Sequence, residues 1–168
     1  MIEVVPATSD AQLDQTRALI RAFVAWHRQV HLEDARLIDD YFDHDAFENE
    51  LRSLPGEYAP PRGSLLLATQ DGRPAGCVAL RPLDQERCEM KRMFVYPELH
   101  GTGIGRALAE AVIQAARRSG YRSMFLDTSF RQVAALKLYR RLGFQPAEPY
   151  YDVPAAFLGW LVFLQLPL

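Results

Sequence analysis

The chain has 168 residues, 49% of them apolar and 24% charged, the size and balance of one ordinary globular domain with room for a full core. Its formal net charge of −2 gives the whole molecule no electrostatic pull toward nucleic acid or an anionic membrane. Two cysteines, Cys77 and Cys88, are too few for a secreted disulfide framework.

The opening residues, "MIEVVPATSD", lack a basic start and an apolar run, so no signal peptide is expected. No stretch approaches the roughly 20 apolar residues that span a bilayer, and a cytoplasmic location is the expectation. "IEVVPA" predicts a short strand. Ser9 followed by Gln12 resembles a capping box, and Leu13, Thr16, Ile20, Phe23, His27 and Val30 then recur near helical period. A second helix is predicted over 40–54, with Phe47, Leu51 and Leu54 on one stripe and Pro55-Gly56 ending it. "PGEYAPPRG" reads as a loop.

"SLLLATQ" predicts a strand, Asp71-Gly72 a hairpin turn and "PAGCVALRP" its partner. "RCEMKRMFVYP" predicts a long further strand. After the glycine-rich "LHGTGIGRAL", one helix face carries Ile104, Ala107, Leu108, Ala111, Val112 and Ala115, and Gly120 closes that helix. "RSMFLDT" predicts a strand and "QVAALKLYRRLG" a short helix ended by Gly143. The remainder to Leu168 predicts two strands joined around Asp152-Val153-Pro154. An antiparallel meander thus runs into a βαβ unit. The expected fold class is α/β (α+β): a single domain over 1–168, with a mixed central sheet of about seven strands flanked by four helices.

Gly101, Gly103 and Gly105 stand where a helix begins, although glycine inside a helix costs about 1 kcal/mol against alanine. A glycine-rich turn opening a helix presents free backbone N–H groups and the positive end of the helix dipole. That combination binds phosphate, and the missing Cβ atoms let its oxygens approach. Arg106, just inside the helix, is a candidate charged clamp. No Gly-Lys-Ser/Thr ends the turn, which excludes a P-loop. A dinucleotide fingerprint fails as well, because its third glycine would fall at Arg106 or Leu108.

The central half of the chain resembles the GNAT superfamily of N-acetyltransferases. That family carries [Q/R]-x-x-G-x-[G/A] after its central strand, and the matching stretch here is His100-Gly101-Thr102-Gly103-Ile104-Gly105. It also carries A-x-x-L/Y-Y-x-x-x-G-F, matched by Ala135 through Tyr139 to Gly143-Phe144. The resemblance is firm over 65–145. Two positions depart from the pattern: His100 replaces Gln or Arg, and Gln132 stands where the family often has Asn.

The resemblance implies acetyl-CoA as cosubstrate, with no metal, and a small-molecule or peptide amine as acceptor. It implies cofactor contacts from Met93, Phe94 and Val95 on the strand, from His100, Gly101, Thr102, Gly103, Ile104, Gly105 and Arg106 in the turn, and from Gln132. A backbone N–H near Met93 or Phe94 would meet the thioester carbonyl. Catalysis is expected from Glu89 as general base and Tyr139 as general acid. Glu89 also fits a plain ion-pair partner of Lys91 or Arg92, and Tyr139 a core tyrosine. Asp127 and Thr128, at a strand end, are candidates to shape the acceptor site or cap the next helix.

Two rival readings stay open at this stage, a non-catalytic CoA-binding regulatory or interaction module and an acyltransferase using a longer acyl-CoA. Pocket width near Phe94 and Phe125 would bear on the second. Neither nucleic acid nor membrane is an expected partner, and a homodimer is compatible with the sequence. His27 and His31 share a helix face, but no acidic or sulfur ligand is placed beside them. A cysteine nucleophile at Cys77 or Cys88 lacks a histidine to activate it. Segment 33–57 holds nine acids, which fits either a solvated helix face or a negative field drawing a cationic amine, with Tyr150 and Tyr151 as candidate aromatic walls.

Overall fold

A computed structural model describes residues 1–168. Seven strands are present: β1 (Ile2–Pro6), β2 (Ser64–Gln70), β3 (Arg73–Pro82), β4 (Arg87–Val95), β5 (Ser123–Ser129), β6 (Gln145–Pro146) and β7 (Leu161–Pro167). Five α-helices accompany them: α1 (Asp10–Val30), α2 (Ala35–Tyr41), α3 (His44–Ser53), α4 (Ile104–Arg118) and α5 (Val133–Arg141). The strands form one mixed sheet in the order β1-β2-β3-β4-β5-β7-β6, with β4 and β5 parallel and every other pair antiparallel.

Local sequence accounts for most of these boundaries. At α1 the capping box forms: Gln12 N–H donates to Ser9 Oγ at 3.2 Å, and Ser9 N–H donates to Gln12 Oε1 at 3.0 Å. The helix expected over 40–54 is instead two helices broken at Phe42-Asp43. Asp43 leaves the helical region and accepts a hydrogen bond from Ala46 N–H at 3.0 Å, so it starts α3 afresh. The observed helix count is therefore five where the sequence pattern suggests four.

Both faces of the sheet are covered. Helices α4 and α5 pack on one face through Ile104, Leu108, Val112, Leu136 and Tyr139. Helices α1, α2 and α3 pack on the other through Leu19, Ile20, Ile38 and Leu51. Double burial explains why Ala75–Leu80 of β3 is a continuous apolar run and not an alternation. Cys77 and Cys88 fall in opposite cores as free thiols.

The feature that positions the site is a break between β4 and β5. They pair only over Arg87–Glu89 against Ser123–Phe125. The β3–β4 register then shifts between Cys77 and Ala79, and Arg92 sits in the left-handed region at φ 55°. This bulge bends β4 away from β5, which continues along β7 to Ser129. A wedge opens in the middle of the sheet.

Glu50 on α3 holds the bulge. Its carboxylate accepts two hydrogen bonds from Arg92, at 2.8 and 3.0 Å, and the guanidinium lies over Phe42 at 5.2 Å. Burial alone would raise the Glu50 pKa, but Arg92 and the Tyr58 hydroxyl overcome it and hold the value below 4.5. The pair's contribution is therefore present above the unfolded value and is lost as pH falls through the lower folded one. Glu50→Gln is expected to cost about 2–3 kcal/mol near pH 7, discounted for the 20% exposure of the carboxylate. Urea midpoints should show that deficit shrinking as pH falls below the ordinary carboxylate range, through the lowered Glu50 pKa. A deficit independent of pH would remove the ionic account.

Candidate active site

The glycine turn presents its backbone to solvent. Gly101 and Gly103 have φ of 81° and 94°, and a Cβ at either would meet nothing within 4 Å. The N–H groups of Gly101, Gly103, Ile104, Gly105 and Arg106 have no backbone acceptor. No side chain caps α4 and no acid stands in its first turn. The helix end is thus an uncompensated cluster of donors, suited to a phosphate. Ile104 contributes only its backbone, because its side chain is fully buried.

Other predicted turn residues have different tasks. The Thr102 hydroxyl donates to Leu99 O at 2.7 Å, closing the turn on itself. Arg106 is exposed and paired with Glu110 at 2.7 Å. His100 ties the turn to the strand, with Nε2 at 3.0 Å from Val95 O and Trp26 edge-on to its ring. That ring anchor is a role the family pattern did not suggest.

A cleft of about 350 Å³ runs from this turn to the wedge. Met93, Phe94, Val95, His100, Gly101, Gly103, Gly105, Arg106 and Gln132 all line it, whereas the Thr102 and Ile104 side chains do not. Its floor is also built by Phe23, Trp26, Leu138 and Tyr139. Of these, Trp26 lies off the helical stripe that the sequence suggests for α1. Gln132 Nε2 is buried with no hydrogen-bond partner, a donor left open at the cleft.

The cleft narrows to an inner cavity of about 60 Å³ between Met90–Met93 and Leu126–Ser129. Gln132 and Tyr139 line both spaces. The Tyr139 ring is buried among Phe144 and the α4–α5 core, and burial pushes its pKa well above that of a free tyrosine. It therefore stays protonated at any ordinary pH, and its hydroxyl is available as a donor. His27 also lines the inner cavity, stacked on Trp160 with Nδ1 at 2.8 Å from His31. Burial, with His31 beside it, pushes the His27 pKa down to about 4. No group of three or more His, Cys, Asp or Glu is placed to hold a metal ion.

A second pocket, of about 240 Å³, adjoins the inner cavity. It shares Tyr41, Lys91, Arg92 and Asp127 with the inner cavity and adds Arg81, Glu89 and Tyr151. Glu89 is 2% exposed and lies 3.3 Å from Arg81 and 3.5 Å from Lys91. It reaches this pocket but does not line the inner cavity. Asp127 lines both, accepts hydrogen bonds from the Tyr41 and Tyr151 hydroxyls, and has no cationic partner. Burial and then the Asp127 charge raise the pKa of both phenols.

The expected acidic field is largely neutralised in the fold. Of the nine acids over 33–57, Glu33 and Asp34 pair with Arg131, Asp39 with Arg28, Glu48 with Arg21, Glu50 with Arg92 and Glu57 with Arg81. Tyr151 lines the pocket, but Tyr150 packs on Phe125 and Phe163 outside it. Phe125 lies against Tyr150 and Arg87 and does not set the width of the cleft, whereas Phe94 lines it.

A wedge in a seven-stranded sheet, with a turn of open N–H groups at one end of its cleft and a polar pocket adjoining it, is the frame of an acyltransferase fold. The acetyltransferase (GNAT) family model matches residues 17–144, and the chain belongs to that family. An N-acetyltransferase of Schizosaccharomyces pombe, itself uncharacterised, is 40% identical over 109 residues, covering 64% of this chain and 67% of that one. An acetyltransferase from Streptococcus agalactiae superposes with TM-score 0.74 over 99% of this chain and 98% of its own, at 20% identity. The PaiA N-acetyltransferase of Thermoplasma acidophilum, in complex with coenzyme A, superposes with TM-score 0.73 at 16% identity, over 100% of this chain and 99% of its own. At those identities the two superpositions speak for the fold alone. No helix is long and apolar enough to cross a membrane.

Replacing Gly103 with valine puts a branched side chain where the cradle opens, at a φ that valine resists. Gly103→Val is expected to weaken acetyl-CoA binding at least about tenfold by calorimetric titration, because the free N–H groups no longer reach a pyrophosphate. Unchanged affinity would remove the phosphate assignment.

Proposed function

We propose that the chain transfers an acetyl group from acetyl-CoA to a primary amine by direct attack in a ternary complex. The observation that carries this reading is the inner cavity. It shares lining residues with both the glycine-turn cleft and the polar pocket and has Tyr139 on its wall. Gly101, Gly103 and Gly105 would hold the pyrophosphate, the free edge of β4 at Met93 and Val95 the pantetheine arm, and Gln132 Nε2 a polar atom of it. When bound, acetyl-CoA supplies an activated acyl carbon and a thiolate leaving group.

The chemistry needs juxtaposition, loss of a proton from the acceptor ammonium and a proton for sulfur. An N–C bond forms as the C–S bond breaks, leaving an amide and a free thiol. Tyr139 donates its proton to the sulfur and regains one from the second proton that the nitrogen loses as the amide forms. Glu89 takes the ammonium proton through the polar pocket, across a water if needed. A second reading gives that task to Asp127, and it is favoured by the position of Asp127 on both cavities without a cationic partner. The inner cavity of about 60 Å³, walled by Phe23, Phe42 and Trp160, favours acetyl over longer acyl groups.

The test is thiol release from acetyl-CoA in the presence of amino acids, polyamines, aminoglycosides and peptide N-termini. Release that depends on one amine class supports the transferase. Tight acetyl-CoA binding with no release for any amine would instead favour a CoA-binding module.

A further inference from the structure

Most charges around the polar pocket are closed pairs. Arg92 is satisfied by both oxygens of Glu50, and Arg81 donates Nη1 to Glu57 at 2.9 Å. Two cationic groups remain short of acceptors. The Lys91 side chain is only 15% exposed, yet its sole ionic contact is Glu89 Oε1 at 3.5 Å, long for a hydrogen bond, and Glu89 is shared with Arg81. Arg81 Nε is buried with no hydrogen-bond partner. Buried donors of this kind are costly unless a ligand meets them. Burial, with Arg92 beside it, lowers the Lys91 pKa, which an arriving anion would reverse.

The opposite deficit lies across the same pocket. Asp127 accepts hydrogen bonds only from two phenols and has no cation within ion-pair distance. Lys91 and Asp127 both line the inner cavity and the outer pocket. The space therefore offers one unmet cation and one unmet anion to whatever enters it.

We infer that the acceptor is a small amino acid with a free carboxylate, its ammonium at Asp127 and its carboxylate at Lys91 and Arg81 Nε. This rests on the transferase reading in its second form, with Asp127 as the base and Glu89 holding Arg81 and Lys91, and it names the acceptor for that site. A pocket of about 240 Å³ has room for a compound of that size. Glu89, within 3.5 Å of both cations, disfavours a dianionic phosphate and leaves a singly charged carboxylate as the matching anion. A diamine would set a second cation against Lys91 and lose affinity through like charge.

The test follows thiol release from acetyl-CoA with the common amino acids in three forms: free acid, carboxamide and decarboxylated amine. For the best side chain, the free acid should exceed its carboxamide in kcat/KM by at least about tenfold. In Lys91→Met that ratio should fall toward one, through a higher KM for the acid. Lys91→Arg, which keeps the charge, should retain a preference for the acid and so exclude a merely structural loss. Carboxamides or decarboxylated amines used as well as acids by the wild type, or a ratio unchanged in Lys91→Met, would overturn the acceptor assignment and leave the transferase standing. Acetyl-CoA binding without release in any of the three series would overturn the transferase reading, and the acceptor assignment with it.

Discussion

Tyr139→Phe is expected to lower kcat by about 10²–10⁴-fold, the usual contribution of a positioned general acid. The substitution removes one hydroxyl and keeps the ring that packs against Phe144 at 5.7 Å between centroids. Stability should change little, because that hydroxyl makes no hydrogen bond within the protein and none is lost. Acetyl-CoA affinity should barely move, since the hydroxyl meets the sulfur as charge develops on it and not in the ground state. Burial holds the phenol protonated, so the proton is available across the working pH range. Single-turnover kinetics with a calorimetric titration of acetyl-CoA separate the two quantities. Near-normal turnover would take the acid role away from Tyr139.

The carboxylates Glu89 and Asp127 should differ in the pH dependence of their variants. Loss of the true base is expected to cost about 10²-fold or more near neutral pH. That loss should shrink as pH rises, because an amine already deprotonated in solution needs no base. A residue that only holds the ammonium or balances Arg81 and Lys91 should give a defect in KM that persists at high pH. Glu89→Gln and Asp127→Asn, profiled over the same pH range, thus separate the roles. A pH-independent defect in Glu89→Gln would reduce it to the ion-pair partner that its contacts at 3.3 and 3.5 Å already describe.

The glycine turn with its open backbone N–H groups was legible residue by residue. It depends on backbone exposure over a few consecutive positions, and glycine spacing encodes that directly. The polar pocket was not legible in the same way. Tyr41, Arg81, Lys91, Asp127 and Tyr151 come from α2, β3, β4, β5 and the segment before β7, and no local spacing joins them. The acidic stretch over 33–57 misled for a related reason. Linear charge density does not reveal that Arg21, Arg28, Arg81, Arg92 and Arg131 fold back to neutralise it.

By itself the sequence determined the order of the seven strands, the open glycine turn over 101–105 and the short helix that Gly143 ends. All of these follow from periodicities and backbone preferences a few residues long. It also held the family resemblance, which the match over 17–144 bears out. Only the tertiary structure decided that the predicted helix over 40–54 breaks at Asp43, where a side-chain cap competes with helix continuation. Only the tertiary structure placed the bulge at Arg92, which Glu50 stabilises from 42 positions away in the chain. It also left Asp127 without a cation at ion-pair distance and Lys91 with only a long contact to a carboxylate it shares with Arg81. Ion pairing is a property of which side chains meet across the fold, and unmet charge becomes visible only once every other pair has closed.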